Sequence, residues 1–263
     1  MFISTYSMKY QPFCASIPEN AIYRHNGFEQ ALAKLSFSIQ QSNIALITGV
    51  TGSGKSTLLR CFSSKLKQQL DTPIYLHHTS QRSVGIMRMI ATSLGEEPRS
   101  YKDRVISQII TRVSGFKNNV VLLVDEAHNL PKDALIDLRL LVCSSEHELL
   151  NLKLVLCGQN RLSATLRQDV FADIISRIPT HVKIKNFAGE NTQAYIDHLL
   201  KGAGVNVRIF EPEAISAIHD SSDGNPQMIN KIATLCLLAA DSDQSKKVGI
   251  DIVKNVLDNE ELF

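Results

Sequence analysis

The chain has 263 residues, of which 44% are hydrophobic and 21% charged, as is typical of a globular protein with a substantial core. Its longest apolar runs, such as Val120–Val124, are too short to cross a bilayer, and its first residues lack the features of a secretory signal. The five cysteines form no Cys-x-x-Cys pair, so we expect buried thiols rather than a metal site. We predict a cytoplasmic protein without a membrane partner.

Charge divides the chain in two. Residues 1–186 carry 22 Lys or Arg against 14 Asp or Glu, whereas residues 187–263 carry 6 against 12. The basic excess in the first part favours a polyanionic partner, although a solvated basic surface gives the same count.

The predicted elements begin after an irregular lead-in, residues 1–26, with Phe13 and Tyr23 as apolar anchors. Strands are then expected at 44–48, 73–77, 120–128, 154–157 and 182–185, with helices at about 28–39, 56–70, 83–94, 102–116, 135–142 and 162–173. This alternation predicts an α/β domain, residues 27–186, with a five-stranded parallel sheet flanked by helices. Four further helices, at 192–203, 212–220, 226–240 and 249–257, predict a small all-helical domain over residues 187–263.

A glycine-rich stretch between the first expected strand and its helix carries the strongest functional signal. Gly49–Thr57 fits Gly-x-x-x-x-Gly-Lys-Ser/Thr, in which the glycines let backbone N–H groups face phosphate oxygens. Lys55 is expected to hold the β- and γ-phosphates of ATP, and the Ser56 hydroxyl to bind Mg²⁺. The residues predicted to contact the nucleotide here are Gly49, Thr51, Gly52, Ser53, Gly54, Lys55, Ser56 and Thr57.

Two carboxylates lie at the C-terminal end of the most hydrophobic expected strand, where parallel sheets place their ligands. We expect Asp125 to hold Mg²⁺ directly or through one of the metal's ligands, and Glu126 to orient and polarise the water that attacks the γ-phosphorus. A pair of acidic residues that caps the next helix is the alternative. Gln159 ends the next strand and is a candidate to sense the γ-phosphate or hold that water; a loop amide is the alternative. Arg177 precedes the last strand and is a candidate to reach a neighbouring subunit's γ-phosphate; a surface arginine is the alternative.

The order of these features resembles the AAA+ ATPases, and more narrowly the group related to the ATPase A component of the general secretion pathway. The matching segments are Tyr10–Phe13, Ile22–Tyr23, Gly49–Thr57, Leu122–Leu130, Leu154–Gln159, Ser176–Ile178, Tyr195–Leu199, Ala203–Gly204 and Asp223–Asn230. The resemblance implies a P-loop α/β domain with a helical lid. It assigns Gln159 as sensor 1 and Arg177 as a trans-acting arginine finger, and it places Tyr23 and Arg24 of the lead-in near the adenine.

One residue departs from that family pattern. The lid motif normally reads Gly-x-Pro-Arg, whose arginine is sensor 2, but the corresponding residue here is Gln227. A neutral amide does not offset phosphate charge, so slow hydrolysis or weak coupling of lid closure to ATP is expected. Lys231, one helical turn later, is a candidate substitute.

Stand-alone members of this group resemble the ATPase partners of transposases in Mu-like and multi-protein transposons. The leading hypothesis is therefore an ATPase that oligomerises as a ring or filament, binds DNA without sequence preference in its ATP state, and recruits a transposase. Candidate DNA contacts lie in the basic segment 80–117 and comprise Arg99, Lys102, Arg104 and Lys117. The alternatives are a secretion or envelope-assembly ATPase and a nucleotide-dependent scaffold with little hydrolysis.

Overall fold

The computed structural model describes residues 2–14, 18–77, 80–143 and 151–259. The helices are α1 (Phe2–Thr5), α2 (Asn26–Gln41), α3 (Lys55–Gln68), α4 (Ser83–Ser93), α5 (Lys102–Ser114), α6 (Lys132–Cys143), α7 (Asn160–Leu166), α8 (Ala172–Ser176), α9 (Gly189–Gly202), α10 (Pro212–Ser222), α11 (Pro226–Ser242) and α12 (Ile250–Asn259). The strands are β1 (Ile44–Gly49), β2 (Thr72–Leu76), β3 (Val120–Val124), β4 (Leu152–Gly158) and β5 (His181–Ile184). None of the helices in the described ranges has the length and hydropathy of a bilayer-spanning segment.

The chain divides into two compact units. One, the α/β unit, comprises Gly27–Thr51 and Lys55–Ile184; the other, the helical unit, comprises Met1–Asn26, Gly52–Gly54 and Lys185–Phe263. The loop apex Gly52–Gly54 thus groups with the helical unit.

The α/β unit contains one parallel sheet with the strand order β2-β3-β4-β1-β5. Its central strands β1 and β3 are buried at every position, which explains their continuous runs of Val, Ile and Leu. In the register, Val124 of β3 lies opposite Leu156 of β4, and Thr48 of β1 lies opposite Gly158. The carboxyl ends of these three strands therefore meet at one edge of the sheet. The predicted five-stranded parallel sheet flanked by helices is confirmed.

A continuous apolar core fixes the strands against their helices. Ile90 of α4, Ile109 of α5 and Leu138 of α6 have no exposed surface and belong to the same buried cluster as Leu122 of β3. Burying a side chain of this size stabilises the fold by roughly 1.5–3 kcal/mol. The edge of the sheet that bears the polar residues is therefore a rigid platform.

Two elements differ from the expected ones. The third strand does not continue to His128 but ends at Val124, because Glu126 adopts a left-handed backbone with φ 49° and ψ 34° that starts a 3₁₀ helix, Ala127–Asn129. The single helix expected at 162–173 is replaced by α7, a 3₁₀ helix over Asp169–Phe171, and α8.

The helical unit confirms the four predicted C-terminal helices, α9 to α12. The prediction of an irregular lead-in is wrong at Phe2–Thr5, which forms α1, and at Glu19–Ala21, a 3₁₀ helix. Phe2 is buried in the core of this unit, and that packing stabilises a helix too short to form alone. Phe13 packs edge-to-face on Phe210, with ring centroids 6.2 Å apart.

A sharp turn joins α10 to α11. Asp223 and Gly224 both have positive φ angles, 49° and 64°. A Cβ on Gly224 would lie 2.1 Å from the Phe187 carbonyl oxygen, so only glycine fits there. The Asn225 side-chain oxygen then accepts the N–H groups of Gln227 and Met228, at 3.0 and 3.3 Å, and caps α11.

Candidate functional site

The connection between β1 and α3 has the backbone that a phosphate site requires. β1 ends at Gly49 and α3 begins at Lys55, so the glycine-rich residues join strand to helix. Gly52 and Gly54 have φ angles of +78° and +93°, a conformation that glycine adopts without steric cost. The first turn of α3 carries N–H groups without intrahelical partners, which suit an anion.

Lys55 supplies the cation of this loop. Only 5% of its surface is exposed, and its Nζ donates a hydrogen bond to the Val50 carbonyl oxygen at 2.8 Å. The other predicted contacts are exposed at Thr51 and Ser56, half-buried at Thr57 and buried at Ser53. The buried ammonium is hydrogen-bonded within its own loop, where it is positioned to donate to a phosphate oxygen in place of that carbonyl oxygen.

Asp125 lies at the end of β3 and is held at both carboxylate oxygens. Its Oδ1 accepts the Glu126 N–H and its Oδ2 accepts the Tyr75 hydroxyl, both at 2.9 Å. Burial and the adjacent Asp125 charge raise the pKa of Tyr75 far above its ordinary value, so the phenol remains a donor. Tyr75 was not identified from the sequence. Its pairing with Leu123, two residues before Asp125, places the two side chains on one face.

Glu126 leaves the sheet in the left-handed conformation described above. Its Oε2 lies 3.3 Å from Nε2 of His128, whose side chain is only 1% exposed whereas that of Glu126 is 43% exposed. Burial lowers the pKa of His128, and the nearby Glu126 carboxylate opposes that effect. The sequence assigned no role to His128, although it completes the letters Asp-Glu-Ala-His.

Gln159 lies directly after β4, the strand beside β3, as expected. Its backbone N–H donates to Nδ1 of His128 at 3.2 Å, and its own side chain is half-buried. The structure therefore brings Asp125, Glu126 and Gln159 to the same edge of the sheet as the end of β1.

Arg177 lies near the edge of the sheet at which β1 begins, opposite the edge formed by the carboxyl ends of the strands. It is exposed and follows α8, and its carbonyl oxygen accepts a hydrogen bond from the Ser42 hydroxyl. Ser42 lies just before β1 begins. The phosphate loop, our name for the glycine-rich connection between β1 and α3, lies just after β1 ends. Six strand residues, roughly 20 Å, separate these two ends of β1. Arg177 is thus remote from the phosphate loop of its own chain.

Gln227 lies in the first turn of α11, in the helical unit. Its backbone N–H is 3.4 Å from the Gly52 carbonyl oxygen, and a Cβ added to Gly52 would lie 2.6 Å from its Oε1. Lys231 is exposed one turn later. Gln227, which the motif places at the sensor 2 position, therefore contacts Gly52 at the apex of the glycine-rich loop. That apex groups with the helical unit.

Tyr23 belongs to an aromatic cluster in the helical unit. Its ring centroid lies 6.0 Å from that of Phe187 and 5.8 Å from that of Tyr195. Its hydroxyl donates to Asn191 Oδ1 at 3.3 Å. The Tyr23 ring also stacks on that of His25, with centroids 5.8 Å apart, and a contact of Tyr23 with adenine stays a prediction.

The basic segment 80–117 is exposed at three of its four candidate DNA contacts: Arg99, Arg104 and Lys117. Lys102 differs, because its Nζ lies 2.6 Å from Oδ2 of the buried Asp137. The Ser83 hydroxyl donates to the same oxygen. Lys102 is therefore part of an ion pair that joins α5 to α6, which makes it a poor candidate for phosphate contact.

These residues fit a magnesium-bound nucleotide. The donors near the end of β1 are a buried ammonium on Lys55 and backbone N–H groups, which suit phosphate oxygens. The oxygens of Ser56 and Asp125 are the hard ligands that Mg²⁺ prefers when the nucleotide completes its coordination.

Comparisons with known proteins give consistent results. Residues 39–166 match the family model of an AAA domain. The chain is 30% identical over 258 residues to the General secretion pathway protein A of Aeromonas hydrophila, an alignment covering 94% of this chain and 46% of that protein. It therefore spans about half the length of that relative.

Solved structures share the fold at low sequence identity. The Cdc6p structure from Pyrobaculum aerophilum superimposes with a TM-score of 0.74 at 17% identity, covering 90% of this chain and 67% of that one. The Aeropyrum pernix ORC1 protein, solved in complex with DNA, superimposes with a TM-score of 0.69 at 15% identity. The match covers 95% of this chain and 69% of that one.

Proposed function

Because residues 39–166 match the family model of an AAA domain, we propose that this chain is an AAA+ protein that binds ATP and hydrolyses it to ADP and phosphate. The observation that carries the proposal is the meeting of Lys55, Asp125 and Glu126 at one edge of the sheet. A phosphate-release assay on the purified chain, with and without Mg²⁺, tests it. Absence of magnesium-dependent release would contradict hydrolysis and favour the nucleotide-dependent scaffold.

Each residue has a separate task in this proposal. Lys55 gives up its hydrogen bond to the Val50 carbonyl oxygen and donates to the β- and γ-phosphate oxygens instead. Ser56 and Asp125 hold Mg²⁺. The bound metal would neutralise charge on the phosphate oxygens. Glu126 takes the proton of the attacking water, and Gln159 holds that water or the γ-phosphate. The amide of Gln227 adds no positive charge, so turnover is slow.

We further propose that hydrolysis requires a second copy of the chain. Arg177 is exposed at the edge of the sheet remote from its own phosphate loop. It can reach a γ-phosphate only if that phosphate belongs to a neighbouring subunit. Assembly into a ring or filament would then complete each site with the preceding subunit's Arg177.

Replacing Arg177 with Ala is expected to lower turnover by roughly 10³-fold, as for other arginine fingers, and to weaken ATP-driven assembly. Glu126→Gln subunits, inactive but with Arg177 intact, are then added to the Arg177→Ala subunits. Phosphate release should partly recover, because one subunit supplies the arginine and the other the carboxylate. No recovery in the mixture would indicate a structural role for Arg177. The exposed Arg167→Ala is the matched control and should behave as wild type.

DNA is the partner that we propose for the assembled ATP state. The support is the excess of basic residues in segment 80–117 and the exposure of Arg99, Arg104 and Lys117. The fold shared with an ORC1 protein solved on DNA is consistent with it. A role as transposition regulator that recruits a transposase rests on the sequence resemblance to transposition-accessory ATPases.

Binding should be sequence-independent and salt-sensitive, since phosphate contacts carry no base information. The double variant Arg99→Ala/Arg104→Ala should reduce the slope of log K against log[salt] by roughly 2 on duplex DNA, about 0.9 for each lost phosphate contact. Affinity should fall about equally for all sequences while ATP turnover without DNA is unchanged. The measurement is a duplex titration at several salt concentrations with a non-hydrolysable ATP analogue.

The control for this titration is Arg208→Ala, an exposed arginine in the helical unit, outside the basic segment. Lys102→Ala is avoided because it would remove the cation beside the buried Asp137 and so perturb folding. If the analogue-bound wild type does not bind DNA at low salt, the DNA proposal fails.

That outcome would favour the second candidate, a secretion or envelope-assembly ATPase. The specific observation behind it is the 30% identity to the General secretion pathway protein A of Aeromonas hydrophila. ATP hydrolysis and the trans-acting role of Arg177 would hold in either case.

A further inference from the structure

His128 links the two strand ends that bear Glu126 and Gln159. One ring nitrogen, Nδ1, accepts the Gln159 backbone N–H at 3.2 Å, and the other, Nε2, lies 3.3 Å from Glu126 Oε2. A backbone N–H can only donate, so Nδ1 is unprotonated and the proton of the neutral ring is on Nε2. That single tautomer satisfies both neighbours, because Nε2–H can donate to the carboxylate.

Close packing fixes the ring in this position. A Cβ added to Gly158, at the end of β4, would lie 3.1 Å from both the backbone N and Nδ1 of His128. The imidazole therefore packs closely on the backbone of β4, and a Cβ at Gly158 would require its neighbours, this ring among them, to shift by a few tenths of an ångström. Rotation of the ring away from Glu126 is opposed by this contact.

A second bond ties the same two segments together. Arg161, in the first turn of α7, donates from Nη2 to Asn129 Oδ1 at 2.8 Å. Asn129 in turn donates its N–H to the Glu126 carbonyl at 2.9 Å. The turn that carries Glu126 is thus held to the start of α7 at both His128 and Asn129.

The backbone of Glu126 makes such restraint necessary. A left-handed conformation costs a residue other than glycine roughly 1–2 kcal/mol, and it persists where surrounding contacts determine it. The carboxylate is also 43% exposed, and a fixed donor such as His128 limits the rotamers that it adopts. A base that is not oriented loses most of its advantage over solvent.

We propose that His128 is a positioning residue, whose Nε2–H holds the Glu126 carboxylate for proton transfer and couples its position to the start of α7, where Gln159 lies. The inference rests on the proposed hydrolytic role of Glu126 and extends it. His128 itself touches neither nucleotide nor water in this scheme. Movement of the β4 end, when Gln159 meets a γ-phosphate, would reach Glu126 through the imidazole.

Two conservative variants of the full chain separate the two contacts of the ring. In His128→Asn the amide oxygen takes the place of Nδ1 and can accept the Gln159 N–H, but the side chain does not extend to Glu126. In His128→Gln the amide nitrogen takes the place of Nε2 and can donate to Glu126. We expect kcat to fall roughly 10- to 100-fold in the first variant, with the Kd for ATP unchanged, and to recover substantially in the second.

Combination with Glu126→Gln tests whether His128 acts through the carboxylate. His128→Asn should cause no further loss of kcat in the Glu126→Gln background, since the group that it positions is already absent. An equal loss in both backgrounds, or equal kcat for the Asn and Gln variants, would overturn the inference. Thermal unfolding of each variant identifies any loss that comes from misfolding.

Failure of the inference and failure of the proposed function give different results. If Glu126→Gln alone turns over ATP like wild type, the hydrolytic role of Glu126 is wrong. If Glu126→Gln is slow but His128→Asn keeps the wild-type kcat, the role of Glu126 stands and that of His128 falls.

Discussion

Replacing Lys55 with Ala should abolish ATP binding at concentrations that saturate the wild type. The ammonium is buried and held in the loop by the Val50 carbonyl oxygen, so its removal leaves the phosphates without a fixed cation. A hydrogen bond to a charged group contributes about 1.5–3 kcal/mol. Lys55 is expected to make such bonds to two phosphates, which together correspond to a loss of roughly 10²- to 10⁴-fold in affinity. Titration with a fluorescent ATP analogue measures it.

The matched control is Lys67→Ala, in the last turn of the same helix, where the lysine is exposed. It should bind ATP as wild type does. Retention of micromolar affinity by a folded Lys55→Ala protein would show that the glycine-rich loop is not the phosphate site.

Replacing Glu126 with Gln should leave ATP binding intact and slow hydrolysis by roughly 10²-fold or more, the contribution of a positioned general base. The amide has the shape of the carboxylate but does not accept a proton. Because Asp125 keeps its contacts with Tyr75 and the backbone of residue 126, the metal-binding side of the site should be unaffected. Single-turnover phosphate release, measured beside nucleotide affinity, separates the two effects.

Glu97→Gln, an exposed glutamate before α5, controls for the loss of one negative charge. Wild-type turnover in Glu126→Gln would require another base. Asp125 is the other acid at this strand end, and Asp125→Asn would then show the larger loss of kcat.

The sheet and the phosphate loop were predictable because their signals are local. A run such as Val120–Val124 is apolar at every position, and Gly49–Thr57 is a contiguous motif whose glycines fit the positive φ angles of Gly52 and Gly54. The placement of Asp125 beside Gln159 follows from one rule, that consecutive parallel strands end at the same edge. The structure satisfies that rule.

The residues that the sequence did not reveal act through contacts distant along the chain. Tyr75 lies 50 residues before Asp125, and Lys102 pairs with Asp137 across two helices. Glu126 has no local signal for a left-handed backbone, which is why the third strand was predicted to be too long. α1 was missed because four residues have no periodicity, and packing alone stabilises them.

The position of Arg177 has a consequence for stoichiometry. If Arg177 acts in trans as proposed, no subunit completes its own site, because the phosphate loop lies at one end of β1 and Arg177 near the other. An open chain of n subunits then holds n − 1 complete sites, whereas a closed ring holds n. An open polymer of any length has one incomplete site, at its end. The activity per subunit therefore rises with polymer length toward a plateau. In a ring every subunit is equivalent, and the last contact to form adds the one complete site that the open chain lacks.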